Sequence, residues 1–418
     1  MTAQTATMPF PARLKTSLKL DPVLLSLTLG ILCSGFVILT SASISISDGA
    51  TGNPFFYLER QLVAALIGGI AAFLCLYLPM QFWRSVGPLL LLAGLVLLLL
   101  VLIPGIGYEV NGARRWIRVG FINLQVSEPA RLCFILYLAG YLVRRNKDVR
   151  ERFTGFLKPM LVLSLACAAL LAEPDFGAAV VLMATVLTML FVAGARIRDF
   201  LLFFSAAVFA VAALAVTSPY RMKRLTAFLD PWADPYDSGF QLTQSLIAIG
   251  RGEWFGVGLG NSVQKLFYLP EAHTDFVFAV FAEEFGLAGS LLLIGLFLAF
   301  LWRILDLGKR AAAAERCFES YVAIGIGTWL ALQAFISFGV NMGLLPTKGL
   351  TLPLVSYGRS SMIMTMVAVA ILLRIHHELS VDARPVNRRR GTSSGSKRGK
   401  KPARRSGSKP RGKPRSKQ

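Results

Sequence analysis

The strongest constraint on this chain is a series of long apolar runs separated by short polar breaks. The hydrocarbon core of a bilayer is about 30 Å thick, and about 20 helical residues are needed to cross it. Runs of this length would aggregate in water, so lipid is their natural solvent. We therefore predict an all-α polytopic membrane protein with about ten transmembrane helices. The predicted spans lie near residues 22–42, 61–80, 85–104, 128–143, 159–173, 178–194, 199–217, 275–302, 320–340 and 358–375.

Composition agrees with a membrane protein and argues against a large soluble helical one. Hydrophobic residues make up 55% of the chain and charged residues 16%, whereas a soluble domain usually carries about a quarter charged residues. The first apolar run, from about Val23 to Thr40, has no small-residue cleavage site, so we expect a span there rather than a removable signal peptide. The 5 cysteines and 3 histidines show neither a disulfide frame nor a metal-binding spacing.

The distribution of Lys and Arg predicts which side of the membrane each loop faces. Basic clusters occur in both tails and at 144–152, 196–198 and 309–310, and all fall on one side if both termini are cytoplasmic. An even number of spans agrees with this orientation. The predicted organisation is a cytoplasmic N-terminal tail (1–20), a transmembrane domain (21–380) with a large extracytoplasmic loop (218–274) between helices 7 and 8, and a basic cytoplasmic tail (381–418).

The C-terminal tail carries most of the formal net charge of +21. Fifteen Lys and Arg residues and no acid lie between Arg384 and Gln418, among Gly, Ser and Pro. Such a segment has almost nothing apolar to bury, so we predict that it is disordered. A basic segment beside a membrane typically meets anionic lipid headgroups or marks the cytoplasmic side, so we expect no nucleic-acid partner.

The predicted outer face also holds positive charges, although Lys and Arg are usually concentrated in cytoplasmic loops. They are Arg114, Arg115, Arg118, Arg221, Lys223, Arg224, Arg251, Lys265 and Lys348. Each alone is tolerable, but as a group they indicate an anionic ligand that arrives from outside. Most lie in the loop at 218–274, and loops that long usually carry function. Within this loop we predict an amphipathic helix at 241–250 along the membrane surface, and a turn rather than a phosphate loop at Gly256–Gly260.

Acidic residues at the outer edge of the membrane are the candidates for chemistry. Asp275 opens the eighth predicted span, where partial burial raises a carboxyl pKa and nearby cations lower it, as a base working near neutral pH requires. An ordinary helix N-cap is the alternative explanation for Thr274 and Asp275. Glu283 and Glu284 follow about 12 Å deeper at 1.5 Å per residue, where buried carboxylates usually face a cavity or a partner.

Two further outer segments are candidates for the same site. The sequence EPDFG at 173–177 forms an acidic turn between the fifth and sixth predicted spans, explained either by helix caps or by substrate binding. Lys348 lies beside the last span, where it would balance a carboxylate or hold a diphosphate as a point charge.

Several strings together resemble the SEDS family (shape, elongation, division and sporulation). They are NGARRWI, EPDFG, LDPWADPYDSGFQ, GVGLGNSVQKLFYLPEAHTDF, AEEFG and PTKGLTLPLVSYG, and the similarity spans nearly the whole chain between the tails. PEAHTD and TKGLTLP are more similar to the division branch than to the elongation branch. There are two departures: Arg359 stands where the family usually has Gly, and Arg131 stands where Lys is expected.

The resemblance implies a ten-helix peptidoglycan glycosyltransferase that polymerises lipid II at the division septum, in the inner membrane of a Gram-negative bacterium. The 4-hydroxyl of the acceptor sugar would attack the anomeric carbon of the donor, and undecaprenyl diphosphate would leave. The family's essential aspartate matches Asp275 as general base, and its loop lysine matches Lys348. The other candidates for substrate binding are Arg114, Arg115, Arg221, Arg224 and Glu283.

The resemblance also implies partners and leaves two other functions open. We expect a class B penicillin-binding protein transpeptidase and other division proteins of the membrane as partners. We expect no organic cofactor, whereas a divalent cation (Mg²⁺ or Mn²⁺) at the diphosphate is compatible with the chemistry. A lipid II flippase would use the same intramembrane carboxylates, and a noncatalytic scaffold would need no base. Polar motifs concentrated on the outer face favour the enzyme, because a flippase needs a path through both leaflets.

Overall fold

A computed structural model of the 418-residue chain describes residues 18–110, 112–120, 122–216, 219–266, 268–347 and 349–382. The helices within this part are α1 (Pro22–Thr51), α2 (Phe56–Tyr77), α3 (Met80–Leu100), α4 (Ser127–Arg144), α5 (Asn146–Glu151), α6 (Phe153–Ala172), α7 (Phe176–Val192), α8 (Ile197–Val216), α9 (Pro219–Leu229), α10 (Phe240–Arg251), α11 (Val277–Ala313), α12 (Cys317–Asn341) and α13 (Arg359–Asp382). The strands are β1 (Gly107–Val110), β2 (Ala113–Val119) and β3 (Ile122–Gln125).

The long helices coincide with the predicted spans, which fall on α1–α4, α6–α8 and α11–α13. Among the described residues, seven helices are long and apolar enough to cross a membrane, and α7 is a shorter apolar helix. The prediction of a polytopic helical membrane protein is confirmed, while the number of crossings and the orientation stay predictions. Both predicted tails fall mostly outside the described residues.

The bundle is organised around α4, α12 and α13, whose side chains are buried along most of their length. Helix α2 packs against α13, α3 against α4, and α1 against α11. Helices α2 and α3 expose large apolar side chains, among them Leu66, Ile70, Leu74, Leu89 and Leu92. We interpret this apolar belt as the surface that contacts lipid. The backbone polar groups there need no water, because each helix satisfies them with its own hydrogen bonds.

A three-stranded antiparallel sheet, ordered β1-β2-β3, occupies the predicted outer loop at 105–127. The all-helical prediction missed this sheet, although β2 reads ARRWIRV and is rich in the aromatic and β-branched residues that favour strands. Successive side chains of a strand point to opposite faces. Arg114 and Arg115 are therefore directed to different sides of the sheet.

Helix α11 is broken at Gly286, where the backbone adopts φ 66° and ψ −163°. The stretch before the break is buried by protein, and exposed apolar side chains begin at Leu287, which is 44% exposed. Segment 253–258 of the long loop pairs its backbone with 283–288 through four hydrogen bonds of 2.9–3.1 Å. We refer to residues 253–258 as the docked segment. Its backbone satisfies groups that a broken helix would otherwise leave unpaired at the membrane.

The predicted helix at 241–250 is confirmed as α10. Its buried side chains include Leu242, Ser245 and Ala248, and the helix packs against α11 and α12. The Ser245 hydroxyl donates to the backbone oxygen of Asn341 at 2.8 Å. Contact with protein thus accounts for the buried face of α10, and its position along the membrane surface stays a prediction.

Candidate functional site

The start of α11 is held by α12, and the carboxyl group of Asp275 has no capping role. Phe276 is the N-cap residue and makes no side-chain cap bond within the described chain. Instead Asn341, fully buried at the end of α12, accepts a hydrogen bond from the backbone N–H of Ala279 at 3.0 Å. The same side chain donates to the backbone oxygen of Asp275 at 2.9 Å. The N-cap explanation for Thr274 and Asp275 is therefore wrong.

The half-buried carboxyl group of Asp275 faces Gly349 in the loop that precedes α13. A Cβ at Gly349 would lie 3.1 Å from Asp275 Oδ2. Burial raises the pKa of Asp275, the charge of Glu271 raises it further, and Arg224 and Arg115 lower it, so that the pKa is about 7. A carboxyl group with this pKa both accepts and releases a proton at neutral pH.

Helix α9 contacts the loop before α13, the loop whose Gly349 lies beside Asp275. The guanidinium of Arg224 donates to the backbone oxygen of Thr347 at 3.2 Å, which places a cation of α9 beside this loop. Lys348, the next residue, lies outside the described residues. Arg221 lies in the first turn of α9, and its side chain is also outside the described part. The predicted roles of Lys348 and Arg221 therefore stay predictions.

Arg115 connects the sheet to the acidic turn at 173–177. Its guanidinium donates to the backbone oxygens of Glu173 and Pro174. A Cβ at Gly177 would lie 3.2 Å from Cγ of Leu350, so the turn packs against the same loop that faces Asp275. The turn, the sheet and the loop are thus one connected unit around the site.

The two acids of this turn have different roles. Asp175 caps α7 by accepting from the backbone N–H of Ala178 at 3.1 Å, and it also accepts from Ser127 at 3.2 Å. Glu173 is fully buried, and its carboxyl oxygens have no hydrogen-bond partner among the described residues. Burial and the charge of Asp175 raise the pKa of Glu173 to about 8, against the opposing effect of Arg115. Glu173 is therefore mostly protonated at neutral pH.

Two other predicted site residues are engaged away from Asp275. Arg114 pairs with Glu109 at 3.0 Å on the exposed side of the sheet. Glu283 is fully buried and accepts from Arg251 at 3.2 Å. It also accepts from the Ser262 hydroxyl and from the backbone N–H groups of residues 263 and 264 at 3.1 and 3.3 Å. These contacts make Glu283 an anchor for the long loop.

Sequence reasoning missed several residues that shape the site. Glu271 raises the pKa of Asp275, and Asn341 orients the start of α11. Buried Glu128 and Arg131 pair at 3.1 Å on α4, and Arg131 also lies 3.4 Å from Gln333 of α12. Polar residues inside apolar spans are rare and usually functional. That rarity is the signal by which Asn341 and Glu128 could have been found.

A dedicated metal cage is absent from the part of the chain that the structure describes. No group of three or more His, Cys, Asp or Glu side chains there could hold a metal ion. A divalent cation would therefore take most of its ligands from diphosphate oxygens and water, as Mg²⁺ commonly does. The cation stays a prediction.

Comparisons of the sequence with known proteins identify relatives over most of the chain. The model of a family described as "Cell cycle protein" (FtsW, RodA, SpoVE) matches residues 22–381. A relative from Thioalkalivibrio sulfidiphilus named "Probable peptidoglycan glycosyltransferase FtsW" is 56% identical over 368 residues, which cover 88% of this chain and 92% of the relative. A relative of the same name from Nitrosococcus halophilus is 57% identical over 358 residues, covering 86% and 92%.

Solved structures give the same relationship. A chain of a peptidoglycan synthase complex that coordinates polymerization and crosslinking matches with a TM-score of 0.72 and 32% identity, covering 87% of this chain and 99% of that chain. The Rod shape determining protein RodA of Thermus thermophilus matches with a TM-score of 0.64 and 31% identity, covering 86% and 98%. The chain therefore belongs to the FtsW/RodA/SpoVE family of cell cycle proteins, the SEDS family that its motifs resemble.

Proposed function

We propose that this chain is a peptidoglycan glycosyltransferase that polymerises lipid II, with Asp275 as the general base. The observation that carries the proposal is the Asp275 carboxyl group, which has a pKa of about 7 and no capping role. Relatives that are more than half identical are named as probable peptidoglycan glycosyltransferases. This family relationship supports the glycosyltransferase reaction, and the surroundings of Asp275 support its role as the general base.

The reaction requires one proton to be removed while one bond forms and another breaks. The hydroxyl oxygen of the acceptor sugar attacks the anomeric carbon of the donor, and its proton passes to Asp275. The bond between that carbon and the diphosphate oxygen breaks, and the diphosphate leaves with the bonding electrons. Because diphosphate is a good leaving group, the reaction needs a base and cationic stabilisation rather than a second acid–base carboxylate.

The cations around Asp275 are suited to the leaving group. Arg115 and Arg224 both act on the pKa of Asp275, so their positive charges are close to the carboxyl group. Both guanidinium groups also bind backbone oxygens, which fixes their positions before substrate arrives. Positive groups held in place need little rearrangement when charge develops on the diphosphate. Protonated Glu173 adds no negative charge to repel that anion.

The chain is proposed to act with a crosslinking partner. It is similar to a chain of a peptidoglycan synthase complex that coordinates polymerization and crosslinking. We propose that a class B penicillin-binding protein transpeptidase crosslinks the strands that this chain makes, and that other division proteins join them. The proposed location is the septum, in the inner membrane of the bacterium. The seven long apolar helices among the described residues support membrane integration.

The test is formation of glycan strands from lipid II by the full-length chain reconstituted with its transpeptidase partner. Asp275→Asn is expected to lower the rate by about 100-fold or more, because general base catalysis contributes about 10²–10⁴. Asp237→Asn is the matched control, because Asp237 is an exposed aspartate of the same loop that pairs with Lys223. This control is expected to stay within about twofold of wild type, since an exposed ion pair contributes little.

Partner binding and thermal unfolding of Asp275→Asn establish that the variant is folded. A folded Asp275→Asn variant that polymerises at the wild-type rate would exclude Asp275 as the base. Wild-type protein that makes no polymer but moves lipid II between leaflets of the same vesicles would identify a flippase. Wild-type protein that does neither while binding the partner would identify a scaffold.

A further inference from the structure

A groove of about 800 Å³ lies between the C-terminal half of α1 and residues 259–266 of the long loop. Helix α1 lines it from Val37 to Ser45, a length of about 12 Å at 1.5 Å per residue. The loop side includes Asn261 and Lys265. The catalytic proposal uses none of these residues.

Both walls of the groove carry exposed apolar side chains. Val37 is 48% exposed on α1, and Leu259 and Leu266 on the loop are also exposed. Large exposed apolar side chains beside membrane-spanning helices are solvated by lipid chains. A lipid chain can therefore lie against these apolar side chains.

One wall of the groove is polar and includes Lys265, which belongs to a buried ion pair with Glu284. Lys265 is only 4% exposed, and its ammonium group donates to Glu284 at 2.8 Å and to the Ser41 hydroxyl at 3.0 Å. An ammonium group has three N–H donors, so one donor is left for a ligand. Lys265 lines the groove, whereas Glu284 is not among its described lining residues. Lys265 is thus the member of the pair that lines the groove.

Further donors lie beside Lys265. The side-chain amide of Asn261 donates to the backbone oxygen of Val257 at 3.1 Å, and an amide has a second N–H. Ser45 contributes a hydroxyl to the same wall. A buried ammonium, an exposed amide and a hydroxyl along a groove with apolar walls match the chemistry of a phosphate group attached to a hydrocarbon chain.

We propose that this groove binds a lipid with a phosphate headgroup. The phosphate contacts Lys265 and Asn261, and the hydrocarbon chain leaves along Val37 and Leu266. Membrane glycerophospholipids and polyprenyl phosphates share this chemistry. Asp275 is nine residues before Glu284, which is about 13 Å along a helix. The groove is therefore separate from the reacting carboxyl group, and the inference stands whether or not Asp275 is the base.

The binding test uses the full-length protein in a nonionic maltoside detergent, with photoreactive diazirine lipids as probes. The probes are phosphatidylglycerol, undecaprenyl phosphate and the neutral control diacylglycerol, and mass spectrometry maps the labelled peptides. Ser45→Trp fills the groove and keeps Lys265, Glu284 and Ser41, the residues of the buried hydrogen-bonded pair, unchanged. Leu29→Trp is the matched control, because Leu29 is 49% exposed on the same helix and does not line the groove.

We expect the phosphate-bearing probes to label 37–45 and 259–266 about tenfold more than diacylglycerol does, as a charge-assisted contact allows. Ser45→Trp is expected to abolish this difference, and Leu29→Trp to keep it. Competition by unlabelled phosphatidylglycerol or undecaprenyl phosphate then identifies which lipid the groove prefers. If Ser45→Trp does not fold, the double variant Lys265→Gln/Glu284→Gln decides, since it removes both charges of the buried pair and leaves neither unpaired.

Two results would overturn the proposal. Equal labelling by diacylglycerol would show ordinary contact with surrounding lipid. Unchanged labelling of a folded Ser45→Trp variant, or of the folded Lys265→Gln/Glu284→Gln variant, would show that the probes bind elsewhere. Both readouts are independent of glycan synthesis, so the result does not depend on the proposed catalytic function.

Discussion

Replacing Gly256 with alanine tests whether the docked segment supports the break in α11. Gly256 has a φ of +80°, and a Cβ there would lie 2.1 Å from the backbone oxygen of Glu284 and 2.6 Å from the backbone nitrogen of Phe285. These are backbone atoms, so no flexible side chain can move aside. Ordinary contact begins near 3.4 Å, so the docked segment would have to move by roughly 1.3 Å at the steep repulsive wall of the contact.

A shift of that size breaks the pairing between the docked segment and residues 283–288. Four hydrogen bonds of 2.9–3.1 Å join the two stretches, and they would lengthen beyond the normal range. Each buried group left unpaired costs about 1–3 kcal/mol, and alanine at positive φ adds roughly 1–2 kcal/mol. With one group left unpaired for each bond, the sum is about 5–14 kcal/mol, comparable to the stability of a whole domain. We therefore expect Gly256→Ala to undock the segment.

Hydrogen–deuterium exchange measured by mass spectrometry checks this prediction. Gly256→Ala is expected to lose protection at 257–258 and 287–288. Glycan synthesis is also expected to fall, because the docked segment is part of the long loop that ends just before Asp275. Gly250→Ala is the matched control, since a Cβ at Gly250 in α10 would meet no heavy atom of the described residues within 4 Å. Wild-type protection in Gly256→Ala would refute the reasoning, because the close backbone approach would then not be required.

Three further predictions concern the site and the buried pair. The polymerisation rate is expected to rise with pH through about 7, where Asp275 loses its proton. Because the charge of Glu271 raises the pKa of Asp275, Glu271→Gln is expected to move the midpoint of the pH–rate profile to lower pH. An unchanged midpoint in this variant would contradict the prediction. Asn341→Ala is expected to lower stability by about 2–4 kcal/mol, measured by chemical denaturation, because it removes two buried hydrogen bonds at the start of α11. Arg131→Met is expected to lower stability by about 3–5 kcal/mol by leaving Glu128 unpaired, whereas Arg131→Lys keeps the charge and is expected to lose less.

Two local patterns in the sequence were sufficient to predict the helices and to select the candidate base. Each membrane helix satisfies its backbone hydrogen bonds within its own segment, so an apolar run of the right length predicts a helix without knowledge of its neighbours. Asp275 was selected because its carboxylate lies at the outer membrane edge directly after a polar loop, and because its motif matches the essential aspartate of the SEDS family. Both features are properties of neighbouring residues and therefore remain visible in the sequence.

The features that the sequence did not reveal depend on residues far apart in the chain. The sheet at 107–125 was missed because strands are stabilised by their partners. Glu283 and Glu284 were expected to face a cavity or a partner, and their partners, Arg251 and Lys265, were not identified because they come from another segment. The break at Gly286 lies within an apolar run, and only the docked segment, about 30 residues earlier, satisfies its backbone.

The sequence by itself determined the solvent of this protein, the positions of its long helices and the identity of its candidate base. The tertiary structure alone decided what surrounds that base. Asn341 at the end of α12 forms hydrogen bonds with the backbone at the start of α11. Burial together with Glu271, Arg224 and Arg115 sets the pKa of Asp275. A pKa depends on burial and on charges brought close by folding, and neither can be read from neighbouring residues in the sequence.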